Sequence, residues 1–162
     1  MFNNRKEIND LNQKHMKRLM FIGICVLLFS QAKAQTPAMA KLKLEVVINH
    51  FRSNKGVVRI SLFNKGDGFP DPKNAYRVLT KTISNNSAIV EFDDLPAGEY
   101  AISLYHDENN NNKLDSNWFG MPKEGLGVSN DARGHFGPPK YKDAKFYLKN
   151  EPKTITINIY YL

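Results

Sequence analysis

The sequence predicts an all-β fold: an antiparallel immunoglobulin- or transthyretin-like β-sandwich of about seven strands with one long ordered loop. Three observations lead there. Apolar residues recur with a period of two rather than 3.6, as where Leu42, Leu44, Val46 and Ile48 alternate with Lys43, Glu45 and Asn49. Clusters of Gly, Pro, Asn and Ser separate these short runs. No segment carries an amphipathic helical period of useful length.

The elements follow in chain order. Residues 42–49 form the first strand, and Asn54-Lys55-Gly56 turns the chain into a second over Val57 to Phe63 (VVRISLF), the two making a hairpin. Asn64 to Asn74 carries Gly66, Gly68, Pro70 and Pro72 and reads as a loop. Tyr76 to Ile83 is a third strand, Ala88 to Phe92 a fourth and Tyr100 to His106 a fifth. Between the last two, Asp93 to Gly98 (DDLPAG) turns the chain, and Leu95 and Tyr100 are placed to close an end of the sandwich. Lys145 to Lys149 and Thr154 to Tyr160 supply the sixth and seventh strands. Residues 107–144 break the spacing. A segment that long without secondary structure is usually functional or tied down, and its glycines and prolines suit an ordered irregular path.

The N-terminus reads as a leader. A basic segment, His15-Met16-Lys17-Arg18, precedes an apolar run from Leu19 to Ser30 and a small-x-small site at Ala32-Lys33-Ala34. That is the grammar of a Sec-type signal peptide cleaved near Ala34, and Met16 is an alternative start. About a dozen apolar residues fall short of the roughly 20 that span a bilayer, so no stable membrane span is expected after cleavage. Residues 1–34 are thus assigned to the extension and leader, and residues 35–162 to a single domain, periplasmic or secreted. Cys25 lies inside the apolar run and is the chain's one cysteine, which leaves residues 35–162 without a thiol. The leader holds six basic and two acidic residues, so the formal charge falls from +7 to +3 without it. The residual excess, with no basic stripe interleaved with aromatics, argues against a nucleic-acid partner.

The most informative stretch is His106 to Asn117, HDENNNNKLDSN. Asp107, Asn109, Asn111 and Asp115 stand at positions one, three, five and nine of a polar loop. Such spacing turns alternate side-chain oxygens toward one point, and calcium takes six to eight oxygens from carboxylates, amides, backbone and water. Asn112 occupies the place of the glycine in an EF-hand loop, where Asn tolerates a left-handed backbone. Lys113 offers its backbone carbonyl, and Leu114 reads as the apolar anchor. Position twelve is Trp118, not the bidentate Glu, and no helices flank the loop, so this is not an EF-hand. The expected metal ligands are Asp107, Asn109, Asn111, Lys113 and Asp115, holding a structural Ca²⁺. With two charged side chains among them, affinity falls in the roughly 0.1–1 mM range of extracellular modules.

Beyond it lie WFGMPKEGLGVSN (Trp118–Asn130) and FGPPKYKDAKF (Phe136–Phe146), with FDDLPAGEY (Phe92–Tyr100) upstream. Together with HDENNNNKLDSN these motifs, in this order, resemble the bacterial family of secreted domains catalogued as DUF2141, over about Leu42 to Tyr160. The resemblance implies a secreted or periplasmic β-sandwich and carries no established activity with it.

Trp118, Phe119, Glu124 and Phe136 are candidate ligand contacts beside the ion, with Tyr141 able to join them or to fold back over the sandwich. The expected partner is a carbohydrate or an envelope protein. The chain is expected not to be an enzyme: it shows no H-E-x-x-H, and Ser129 lacks a G-x-S-x-G setting. The alternative is a metal-dependent envelope hydrolase using His106, Glu124 or His135.

Overall fold

The computed structural model describes Gln13, residues 41–134 and residues 137–162. The leader expected over residues 1–34 lies, apart from Gln13, outside the described residues, as do His135 and Phe136. Residues Met39–Leu162 form one compact unit.

Within that unit the strands are β1 (Leu42–Asn49), β2 (Val57–Phe63), β3 (Arg77–Thr82), β4 (Ala88–Leu95), β5 (Gly98–Asp107), β6 (Leu126–Val128), β7 (Phe146–Leu148) and β8 (Lys153–Asn158). One short helix, α1, spans Tyr141–Ala144. Two sheets form, one ordered β4-β1-β8 and the other β3-β2-β5-β6, with β7 pairing the start of β5. The all-β sandwich is therefore as predicted, with all seven expected strands present and β6 added to them.

The pattern of burial explains the layering. Leu42, Leu44, Val46 and Ile48 of β1 are all buried, as are Val90 and Phe92 of β4. They meet Val58, Ile60 and Leu62 of β2 and Ile102 and Leu104 of β5 in one core. All of that core lies between residues 42 and 159. A domain of this size buries enough apolar surface to fold by itself.

Two sequence expectations fail here. The first two strands do not form a hairpin. β1 pairs antiparallel with β4 and parallel with β8, whereas β2 pairs with β3 and β5 in the opposite sheet. Gly56 has the positive φ of a turn residue, +68°, but its bare Cα serves a close crossing: a Cβ there would lie 2.0 Å from the Asp107 carbonyl oxygen. Nor is the 107–144 excursion without secondary structure, since it contains β6, a 3-10 turn at Ser129–Asp131 and α1.

The bend at DDLPAG proceeds as expected, with one refinement. β4 continues to Leu95 through a bulge, as Leu42 faces Leu95 but Leu44 faces Phe92. Asp94 takes the left-handed conformation in the bulge (φ +57°). Leu95 and Tyr100 are buried, and the Tyr100 hydroxyl donates to the Pro96 carbonyl at 2.9 Å, closing the corner.

The excursion covers the outer face of the β2–β5 sheet. Ala101, Val128, Ala132 and Ala144 make a second, smaller apolar cluster, against which Phe69 and Tyr141 pack. Ser129 fastens it from inside. Its hydroxyl accepts the Ile102 N–H at 2.9 Å and donates to the Ala144 carbonyl at 2.6 Å. The Asn130 amide donates to the carbonyls of Asp143 and Lys145. Gly127 lies flat on the core, where a Cβ would come within 2.7 Å of Leu104 and 2.9 Å of Ile157.

Candidate functional site

β5 delivers Asp107 at its end, and the polar loop begins there. Asp107 is fully buried. Its Oδ2 accepts from Arg59 Nε at 2.7 Å and from the Asn112 N–H at 3.0 Å, while Oδ1 accepts the Asn111 N–H at 3.0 Å. Arg59 reaches it from β2, where it stands opposite Tyr105 two residues along the ladder. Burial alone would push the Asp107 carboxyl upward. The guanidinium and the two backbone N–H groups prevail, and its pKa is lowered from the ordinary value.

Successive Asx turns shape the loop from this root. Asn109 Oδ1 accepts the Asn111 N–H at 3.1 Å, and Asn111 Oδ1 accepts the Lys113 N–H at 2.8 Å. Asn110 and Asn112 take positive φ of 59° and 66°, as the sequence led one to expect of Asn112. The side-chain amides of Asn109 and Asn111 both donate to the Asp115 carboxylate, at 2.7 and 3.0 Å. Thus Asp107, Asn109, Asn111 and Asp115 are linked side chain to side chain or through one backbone N–H. Leu114 does not anchor the loop; it is 38% exposed.

The donor set suits a hard cation. It comprises two carboxylates, two amide oxygens and the Lys113 carbonyl, and each amide oxygen bonded to one N–H keeps a second lone pair. Calcium would take Asp115 oxygens that now receive the Asn amides. Arg59 has the opposite influence, since its charge offsets part of that of Asp107. Among the described residues no group of three or more His, Cys, Asp or Glu side chains is gathered to hold a metal. The ligands would come from amides and backbone as much as from acids, which suits a weak site.

Glu124 sits beneath the loop, 4% exposed, and joins its two ends. One oxygen accepts the Glu108 N–H at 2.9 Å and the other the Asp115 N–H at 3.0 Å. The candidate contact residue is therefore a brace, turned inward. A short ribbon rises from the same place. The Lys123 N–H donates to the Asp115 carbonyl, Ser116 bridges Pro122, and the Asn117 N–H donates to the Met121 carbonyl. Trp118 and Phe119 crown this ribbon at 86% and 71% exposure. Tyr141 folds back onto Phe69, their ring centroids 5.6 Å apart, and takes no part in the tip. Phe136, the remaining candidate contact, lies outside the described residues.

His106 is fully buried and fully bonded. Nε2 lies 2.7 Å from the Lys55 carbonyl oxygen and Nδ1 2.8 Å from the Tyr161 hydroxyl. A ring nitrogen facing a carbonyl must carry a proton, so Nε2 donates, while Nδ1 faces the Tyr161 hydroxyl and, at 3.5 Å, Glu108 Oε1. Phe51 packs edge-on at 5.1 Å. Arg52 stacks over Tyr161 and pairs with Glu108 Oε1 at 2.7 Å. In this setting His106 has no free lone pair for a metal, and Glu124 spends both oxygens on backbone. These two members of the hydrolase alternative hold structural positions; His135, the third, lies outside the described residues.

Sequence reasoning missed Arg59 and the bracing role of Glu124. The signal for Arg59 was present, as the single charge within VVRISLF.

No helix among the described residues is long and apolar enough to cross a membrane. No curated protein and no solved structure matches the chain. A family model does match, over residues 46–156, from the middle of β1 into β8. The chain belongs to the family described as uncharacterized protein conserved in bacteria, DUF2141.

Proposed function

We propose that this protein is an exported, non-catalytic β-sandwich that binds Ca²⁺ and serves as an accessory module of the cell envelope. The ion is held by Asp107, Asn109, Asn111, the Lys113 carbonyl and Asp115, and the ribbon above it is the contact surface. The observation that supports the reading is the hydrogen-bonded linkage of four oxygen-bearing side chains, Asp107, Asn109, Asn111 and Asp115, within consecutive Asx turns. The ion supplies charge there and fixes the root of the ribbon. Export rests on the basic, apolar and Ala-Lys-Ala segments of residues 15–34. The absence of catalysis is supported by the full hydrogen bonding of His106 and Glu124.

Calorimetry tests the ion. Ca²⁺ titrated into EDTA-treated protein of residues 35–162 gives a dissociation constant of about 0.1–1 mM. Asp115→Asn weakens it, and calcium raises the melting temperature. No heat, together with a melting temperature indifferent to EDTA, sinks the site.

A further inference from the structure

Scattered apolar residues on a surface need no explanation, whereas clusters do. Trp118 and Phe119 are the two most exposed large apolar residues in the described structure, and Met121 (50%) and Leu114 (38%) flank them. All four lie within eight residues. The turn that carries them is built, not slack. Asn117 Oδ1 accepts the N–H groups of Phe119 and Met121, and the Gly120 N–H donates to the Asn117 carbonyl. Gly120 has φ +80°, which holds the turn tight. The two rings lean on each other, centroids 4.1 Å apart and planes 50° from parallel.

We infer that this tip is a membrane-surface contact: Trp118, Phe119 and Met121 enter the interfacial layer of an anionic bilayer, and Lys113 and Lys123 meet its headgroup phosphates. The chemistry of the tip selects this occupant. Trp prefers the boundary between acyl chains and headgroups. A projecting tip of mutually tilted rings inserts well, whereas a sugar asks for an open flat face with polar groups around it. The Asn117 amide oxygen is already used by two N–H groups. Charge points the same way. Lys113 and Lys123 are exposed, and the one acid between them, Asp115, is engaged by two Asn amides. Each lysine near an anionic surface adds to binding. The inference rests on the proposed function for the contact surface and the compartment; the ribbon's own hydrogen bonds organise it apart from any ion.

Trp118 is the chain's single tryptophan and reports the contact directly. Residues 35–162, which omit the apolar run of the leader, are mixed with vesicles of phosphatidylglycerol and phosphatidylcholine in equal parts. The protein is expected to sediment with them, and its emission to shift to the blue and be quenched by brominated acyl chains. Trp118→Ala with Phe119→Ala lowers partitioning at least about tenfold, as burial of one aromatic side chain implies. Lys113→Glu with Lys123→Glu lowers it to a similar extent and reduces its salt dependence. Val78→Ala, exposed on β3, leaves it unchanged. Four results overturn the inference: emission indifferent to vesicles, an aromatic double variant that binds like the parent, emission that shifts with protein concentration alone, or emission that responds to soluble glycans and not to vesicles. Calcium calorimetry on the same protein separates the two readings. Heat without vesicle binding removes the bilayer and keeps the ion, and vesicle binding without heat does the reverse.

Discussion

Replacing Glu124 by Gln keeps the side chain's shape and takes away its charge and one acceptor. In the parent, each carboxylate oxygen receives one backbone N–H, from Glu108 and from Asp115, in a site 4% exposed. Hydrogen bonds to a charged group contribute about 1.5–3 kcal/mol each. In Glu124→Gln the amide oxygen keeps one N–H, weakened to a neutral bond of about 1 kcal/mol. The amide nitrogen then faces the other N–H, donor against donor, and that N–H is left buried without a partner. The expected loss is about 2–4 kcal/mol, read from urea unfolding followed by circular dichroism, with the midpoint shifted and the slope unchanged. In a thermal scan this is a fall of about 8–16 °C. The size of the loss also distinguishes a brace from a surface contact, for which substitution stays within about 0.5 kcal/mol. A loss below about 1 kcal/mol refutes the bracing role and returns Glu124 to the candidate contacts.

Four further outcomes are expected. Stability holds from neutral pH down to about 4 and falls below it, because the Asp107 pKa is lowered in the folded state and its contribution is lost as pH falls through that value. Asp107→Asn flattens that acid limb, and an unchanged limb in the variant counts against the Arg59 pair. Gly127→Ala drives a methyl against Leu104 and Ile157 and costs about 1–3 kcal/mol in chemical denaturation. Ser129→Ala strands the Ile102 N–H and the Ala144 carbonyl and costs about 1–3 kcal/mol, with hydrogen exchange at Ile102 rising first. Trp118→Ala changes stability by no more than about 0.5 kcal/mol, since the side chain touches little of the core; a larger fall in melting temperature contradicts its exposed placement.

What could be read in the sequence was whatever is encoded locally. Val57 to Phe63 was bounded to the residue because its apolar run stops at polar turns on both sides. The turns built on Asn109 and Asn111 were legible for the same reason, since each Asx turn closes over two residues. Non-local pairing was not. Asn54-Lys55-Gly56 has the composition of a hairpin turn, yet its glycine answers the crossing of Asp107, and β1 finds its partners far downstream. β6 has three residues, Leu126, Gly127 and Val128, too few for a period to emerge. Its strand character comes from Leu104 and Ser103 of β5. Glu124 gave no positional clue, because its two partners are separated by six residues of loop and meet only in the folded chain.

The parallel pairing of β8 with β1 constrains how the molecule comes into being. β1 is the middle strand of its sheet, and Leu44 waits for Lys153, 109 residues later in the chain. Until that partner emerges, one flank of β1 is an open row of amides and carbonyls, the kind of edge that recruits other chains. Assembly dominated by such distant pairings is slow. A chain cut short of Lys153 would therefore be sticky rather than merely incomplete, and the open flank of β1 is closed only once the final strand has joined it.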